Sequence, residues 1–340
     1  DYACRHNLTK IFNAADPLKI VFTSGSTEAL NLAMKGLGLE GGHVVSTQIE
    51  HNSVIRPLKT MEEKGGIELD FVKCGEKAYV EPADIEKAIK ENTKAIVVNH
   101  CSNVTGTVLD LKEISKVAHA HGCKIIVDAS QSSGVVPIDV ENWEIDYLAF
   151  TGHKSLYGLQ GIGGLYMRKP FELEPLKTGG TGVKSEVLTQ PREMTMYYEA
   201  GTQNAPGIAS LKAGTDFLLR IRMDKMHEQR KRHVQKMMNK LGDLPEITLY
   251  IHPEHSCYSN FVFTIKGMVP EEVNYALESS YDIHVRSGLH CAPLLLDSLG
   301  VAPWGTVRAS PSYFTTDEEV EKFISAVKDI IKSFVNNRKS

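Results

Sequence analysis

No stretch of this chain approaches the about 18–20 consecutive apolar residues of a membrane span, so the sequence predicts no membrane-crossing helix. Neither sign of charge dominates. A formal net charge of −4, with no block of basic residues, excludes the electrostatic footprint of a nucleic-acid binder. The 6 cysteines form no C-x-x-C pair, which argues against a zinc knuckle or a disulfide framework. Reduced thiols in a cytoplasm are the simpler expectation. Internal repeats and low-complexity segments are also missing. The first residues, Asp1-Tyr2-Ala3-Cys4-Arg5-His6, do not read as a signal peptide, and the missing Met suggests a trimmed start.

What remains is a chain of 340 residues with 42% hydrophobic content, enough for one large and one small domain. Short apolar runs recur: 19–23, 43–47, 67–73, 95–99, 124–127, 147–150 and 164–167. Helical patterns fall between several of them, at 2–14, 29–37 and 111–121, the last stopped by Gly122. That alternation predicts an α/β fold with a mostly parallel sheet buried on both faces. A single long amphipathic helix is expected over 208–241, followed by a smaller α+β domain. That domain is expected to have strands near 246–251 and 259–265, a helix near 270–279 and a last helix at 317–335. The predicted division is 1–207 and 208–340.

Ligands in such sheets bind beyond the C-terminal ends of the strands, and the candidate residues cluster there. Lys154, in Thr151-Gly152-His153-Lys154, follows an apolar strand and is placed for Schiff-base chemistry; Asp128 ends the preceding strand, with Gln131 three residues on. A lysine and an acidic partner for a ring nitrogen together suggest pyridoxal phosphate. Ser24-Gly25-Ser26-Thr27 opens a helix and could hold the phosphate, or be a plain N-cap. His51 follows another strand and could stack on a flat ring, or be a surface histidine. Asn103 could bind a carboxylate or ring oxygen, or lie in a polar turn. In Arg286-Ser287-Gly288-Leu289-His290-Cys291, a cysteine beside Arg and His could act as a thiolate, or be a small buried hydrophobe. Arg308 could clamp a carboxylate or make a structural ion pair.

Taken together, these motifs resemble the class V aminotransferase branch of fold-type-I pyridoxal-phosphate enzymes, and within it the cysteine desulfurases. Ser26-Thr27, Glu50-His51-Asn52, Ser102-Asn103, Asp128-x-x-Gln131 and Thr151-Gly152-His153-Lys154 stand in that family's order. The Arg286-to-Cys291 segment is similar to the group II type, SufS-like and selenocysteine-lyase-like. The resemblance spans essentially the whole chain. It implies an aspartate-aminotransferase-like fold with a seven-stranded sheet, and a homodimer.

It also implies roles. Lys154 would be the Schiff-base lysine that moves the Cα proton, His51 the ring-stacking group, Asp128 the partner of the pyridine nitrogen and Gln131 that of the ring hydroxyl. Ser26, Thr27, Thr151 and His153 would bind phosphate. Thr202, in Glu199-Ala200-Gly201-Thr202-Gln203-Asn204, would reach the partner subunit's phosphate. Asn103 and Arg308 would hold the substrate carboxylate, with Arg286 beside Cys291. Cys291 would take sulfur from L-cysteine as a persulfide, leaving alanine, and pass it to a SufE- or SufU-type acceptor for iron–sulfur cluster assembly. Selenocysteine lyase, another class V enzyme and a slow cofactor-binding scaffold are the alternatives. Two departures stand out. No Asp-Asn-Ala-Ala-like segment precedes the first helix, and Pro311 follows Arg308 closely.

Overall fold

The computed structural model describes residues 1–337, which divide into two compact units. The first comprises Asp1–Lys73, Val80–Cys101 and Leu109–Met223; the second Cys74–Tyr79, Ser102–Val108 and the chain from Asp224 onward. The division therefore falls at residue 223 rather than 207, and two short segments from the first half of the chain join the second unit.

The first unit holds a seven-stranded sheet. Its strands are β1 (Ile20–Thr23), β2 (Gly42–Thr47), β3 (Ile67–Val72), β4 (Thr93–Asn99), β5 (Lys124–Asp128), β6 (Tyr147–Thr151) and β7 (Gly163–Met167). Their order is β1-β7-β6-β5-β4-β2-β3. Only β7 runs antiparallel to its neighbours; the other pairs are parallel. Every residue of β2, β6 and β7 is buried, as expected of strands covered on both faces. The helices of this unit are α1 (Tyr2–Phe12), α2 (Ser26–Gly36), α3 (Asn52–Glu63), α4 (Pro82–Ala88), α5 (Leu111–Ala120) and α6 (Ala205–Ile221). Ala29, Leu30, Ala33 and Met34 of α2 pack with Val97, Ile126, Ala149 and Leu165 of the sheet in one core.

A buried ion pair ties this unit together. Arg5 of α1 reaches both carboxylate oxygens of Glu199, at 2.7 and 2.8 Å, and its guanidinium lies over the Phe22 ring. Glu199 also accepts the Phe22 amide at 2.6 Å. A pair so enclosed holds only because its hydrogen bonds are nearly all satisfied.

Beyond its two short early segments, the second unit holds α7 (Met223–Leu241) from Asp224 on, then β8 (Ile247–Leu249), β9 (Phe261–Ile265), α8 (Pro270–Tyr281), β10 (Arg286–Gly288), α9 (Pro293–Ser298), β11 (Thr306–Ala309) and α10 (Asp317–Asn337). Its sheet is antiparallel, in the order β10-β11-β9-β8. Phe261, Phe263 and Val307 of the sheet meet Leu277 of α8 and Phe323 and Val327 of α10 in a separate core.

Three expectations are corrected. The single helix over 208–241 is two helices, because Arg222 between α6 and α7 takes φ 77, a left-handed conformation that ends a helix. The helix expected from Ala29 begins at Ser26, and its N-cap is Gly25, with no capping side chain. The expected first strand starts one residue later, since Pro17–Lys19 form a 3-10 turn capped by Asp16.

Candidate active site

In the first unit the sequence-predicted residues sit at the C-terminal ends of β2, β5 and β6 and on the turn after β1. Asp128 closes β5, is buried, and lies in register with Asn99 of β4 and Ala149 of β6. Its Oδ1 accepts the Ser130 amide at 2.9 Å and the Ser130 hydroxyl. The carboxylate is thus held from one side by its own turn, where Gln131 is half-buried. Next along the sheet, Thr151 closes β6 and its Oγ1 lies 2.9 Å from His153 Nδ1. Partial desolvation of the ring, with the positive Lys154 beside it, pushes the His153 pKa down. His153 is exposed and Lys154 half-buried.

The turn before α2 comes close to this pair. A Cβ on Gly25 would stand 3.7 Å from Thr151 Oγ1. A Cβ on Gly163 would lie 2.6 Å from Gly25 Cα and 2.5 Å from Phe150 O, so only glycine lets β7 pass that turn. Because no side chain caps α2, its first-turn amides and the hydroxyls of Ser26 and Thr27 form a set of donors at a positive helix end.

His51 is the N-cap of α3, its Nδ1 accepting the Ser53 amide at 3.0 Å. A neutral ring with Nδ1 as acceptor carries its hydrogen on Nε2. Ser53, which the sequence reading left without a role, joins two predicted residues. Its hydroxyl is 3.0 Å from His51 Nδ1 and 2.8 Å from Thr27 Oγ1.

Glu50 is a second residue missed. It is fully buried, with Thr47 Oγ1 donating to Oε1 at 2.6 Å and the Asn99 amide at 3.0 Å. Oε2 has no partner. Burial, opposed by those two hydrogen bonds, pushes its pKa up to about 8, so at neutral pH it is mostly protonated. The only signal in the sequence was its place directly before His51.

Thr202 is exposed on a loop fixed at both ends. Gln203 Nε2 donates to Glu199 O at 2.6 Å, and Asn204 caps α6 by accepting the Gly207 amide at 3.0 Å.

In the second unit five residues converge: Asn103, Arg286, His290, Cys291 and Arg308. Arg286 and Arg308 are directly opposed in the β10–β11 ladder. Like charges across a ladder disfavour pairing, which leaves an excess of positive charge at this spot. Arg286 Nη2 lies 3.3 Å from Cys291 Sγ. Arg308 Nη1 donates to Asn103 O at 2.6 Å, a backbone oxygen rather than the carboxylate of a structural ion pair, and its Nε is buried without a partner. Burial and the nearby Arg286 push the Arg308 pKa down to about 10, so it remains charged at neutral pH. Asn103 Nδ2 donates to His290 O at 2.6 Å, while its Oδ1 is buried and unpartnered. His290 Nε2 lies 3.0 Å from Thr306 Oγ1. Burial, then Arg308 and Arg286, lower its pKa to about 4.

The cysteine turn itself is strained. His290 and Cys291 have φ 49 and 60, adjacent non-glycine residues in the left-handed region. Two such residues in a row cost of order 1–3 kcal/mol each and persist only where the surroundings impose them. Cys291 is half-buried, whereas the other five cysteines are buried. No helix among the described residues is long and apolar enough to cross a membrane.

Residues 2–323 match the family described as aminotransferase class-V. The chain belongs to the class V aminotransferase family. Its curated relatives in that family include a probable cysteine desulfurase of Methanothermobacter thermautotrophicus, 35% identical over 96% of this chain and 82% of the relative. A cysteine desulfurase of Salmonella agona is 29% identical over 96% of this chain and 81% of its own length. Among solved structures, the apo cysteine desulfurase of Thermococcus onnurineus NA1 superposes with a TM-score of 0.90 at 33% identity, covering 98% of this chain and 84% of that one. The S-sulfonic acid form of the Escherichia coli cysteine desulfurase CsdA gives 0.90 at 26% identity, covering 97% and 83%. The seven-stranded class V sheet expected from the sequence is the one observed.

Proposed function

We propose that this chain is a pyridoxal-phosphate-dependent cysteine desulfurase that converts L-cysteine to L-alanine and keeps the sulfur as a persulfide on Cys291. The observation that carries the reading is the half-buried thiol held on a strained turn 3.3 Å from an arginine. An aminotransferase has no use for such a thiol.

The donor set fits the cofactor. An uncapped helix start with two hydroxyls suits a phosphate, and a buried carboxylate at a strand end suits a ring nitrogen. When bound, pyridoxal phosphate supplies an electron sink for a pair released at the substrate's α-carbon. Ser26, Thr27, Thr151 and His153 would bind its phosphate, and Thr202 that of a second copy of the chain in a homodimer. Asp128, steadied by Ser130, would keep a proton on the ring nitrogen, with Gln131 at the ring hydroxyl. Lys154 would hold the cofactor and move the Cα proton, and His51 would stack on the ring and assist. Asn103 and Arg308, each with a buried unpartnered polar atom, would hold the substrate carboxylate.

At Cys291 the thiolate would attack the substrate sulfur. A new S–S bond forms as the C–S bond breaks, the released pair stays on carbon, and proton delivery there yields alanine. Arg286 would favour the anionic sulfur before attack and the persulfide after it. A thiol acceptor, of the SufE or SufU type, would then take the sulfur toward iron–sulfur cluster assembly. The absence of any disulfide among the described residues suits a reducing cytoplasm. Incubation with L-cysteine, pyridoxal phosphate and a reductant tests the reading. Equal alanine and sulfide are expected from the parent and neither from Cys291→Ala; alanine or sulfide from both proteins would overturn it.

A further inference from the structure

The turn after β8 carries a cluster with no part in the chemistry above. His255 N–H donates to His252 O at 3.2 Å, closing a tight turn around Pro253 and Glu254. That turn brings the two imidazoles face to face, with centroids 5.5 Å apart and planes inclined by 21°. Tyr79 stacks on His255 at 3.7 Å and 11°, which fixes that ring. Glu254 extends into solvent, and its Oε2 comes to 4.0 Å from His252 Nδ1. One donor atom from each of the three side chains lies within 4.8 Å of the other two. His252 Nδ1 is itself buried and has no hydrogen-bond partner, so a strong donor or acceptor position stands unused.

We propose that His252, Glu254 and His255 form a site for a divalent transition-metal ion of the zinc type. Two imidazoles and one carboxylate match the borderline character of zinc, which such sets bind with a fourth position left to water. Ligand atoms around tetrahedral zinc at about 2.0–2.1 Å stand about 3.3 Å apart. The present separations therefore close by a small rotation of the exposed Glu254 side chain and of His252, while His255 stays stacked. An ion here would use the lone pair of His252 Nδ1, the atom now without a partner.

The site also bears on Asn103. The Val108 amide donates to His255 O at 2.7 Å, and Thr107 bridges to Ser256. Both belong to the segment 102–108, which carries Asn103. A metal that pins the 252–255 turn therefore stiffens the strip behind a residue of the proposed carboxylate clamp. Its role is structural, and the ion takes no part in sulfur transfer.

The test uses full-length holoenzyme with Cys291→Ser, which removes the one thiol that is not buried and could compete for zinc. Titration with zinc sulfate, followed by X-ray absorption at the zinc edge, reads stoichiometry and ligand type. One ion per chain is expected, with nitrogen and oxygen neighbours and no sulfur, together with a rise in Tm. His252→Ala and His255→Ala are each expected to weaken binding on the order of tenfold or more. Glu254→Ala, at an exposed position where both rings stay in place, should weaken it without lowering the zinc-free Tm. Sulfur in the coordination shell, no binding at micromolar zinc, or an affinity that none of the three variants changes would overturn the proposal.

Discussion

Arg286 Nη2 lies 3.3 Å from Cys291 Sγ, and the backbone of the same arginine faces Arg308 across the β10–β11 ladder. One short strand pair thus sets one cation beside the thiol and a second, half-buried, beside the Asn103 backbone. The distance puts Arg286 in charge-assisted contact with a thiolate, while its exposure to solvent screens the interaction.

Replacing Arg286 by Ala therefore slows alkylation of Cys291 by iodoacetamide by about fivefold or less, since a solvent-exposed pair contributes at most about 1 kcal/mol. Lys at the same position restores part of the rate. An unchanged rate in Arg286→Ala would remove the arginine from the account.

Glu50 gives a pH-dependent stability of one sign. Its pKa is raised to about 8 in the fold, against about 4.3 when unfolded, so its contribution is full at low pH and is lost as pH rises from about 4.3 through 8. Glu50→Gln keeps the shape and cannot ionise. The variant should melt close to the parent at pH 5 and above it at pH 8.5, the gap widening by roughly 1.4 kcal/mol per pH unit at most. Thermal scans at the two pH values check this.

His290 gives the opposite sign. Its folded pKa of about 4 lies below the unfolded value of about 6.5, so the stability it contributes is present above 6.5 and is lost as pH falls toward 4. His290→Asn should flatten the acid limb of the stability curve between those values. An acid limb identical to the parent's would mean that His290 is not held neutral.

Glu199→Ala leaves the Arg5 guanidinium buried beside Phe22 without its carboxylate. A loss of about 3–5 kcal/mol is expected, read as a fall in Tm.

Much of this was legible in the chain. The sheet announced itself because β4 and β5 are short, β-branched and apolar, and the site motifs fall at their ends. The strands β10 and β11 were not foreseen, since Arg286-Ser287-Gly288 has neither an apolar run nor an alternation. β11 pairs in turn with β9, Val307 opposite Phe263 and Arg308 opposite Val262, a partner far away in sequence. The helix α3 was also missed, with Pro57 inside it and a largely polar sequence. The break at Arg222 left no glycine or proline to mark it, although the residue takes a positive φ. Nor could local pattern show that segments 74–79 and 102–108 belong with the second unit, because that is decided by contacts distant in sequence. The charge state of Glu50 likewise follows chiefly from burial, which the acidic residue beside His51 did not reveal.

The central claim is that sulfur passes through Cys291. Holoenzyme mixed with L-cysteine without reductant, quenched, blocked with an alkylating agent and digested, reports this by mass spectrometry of its cysteine peptides. The peptide carrying Cys291 is expected to gain the mass of one sulfur atom, in step with alanine formed. Alanine formed while that peptide stays unmodified, with the extra sulfur found on Cys101 or on no cysteine, would contradict it.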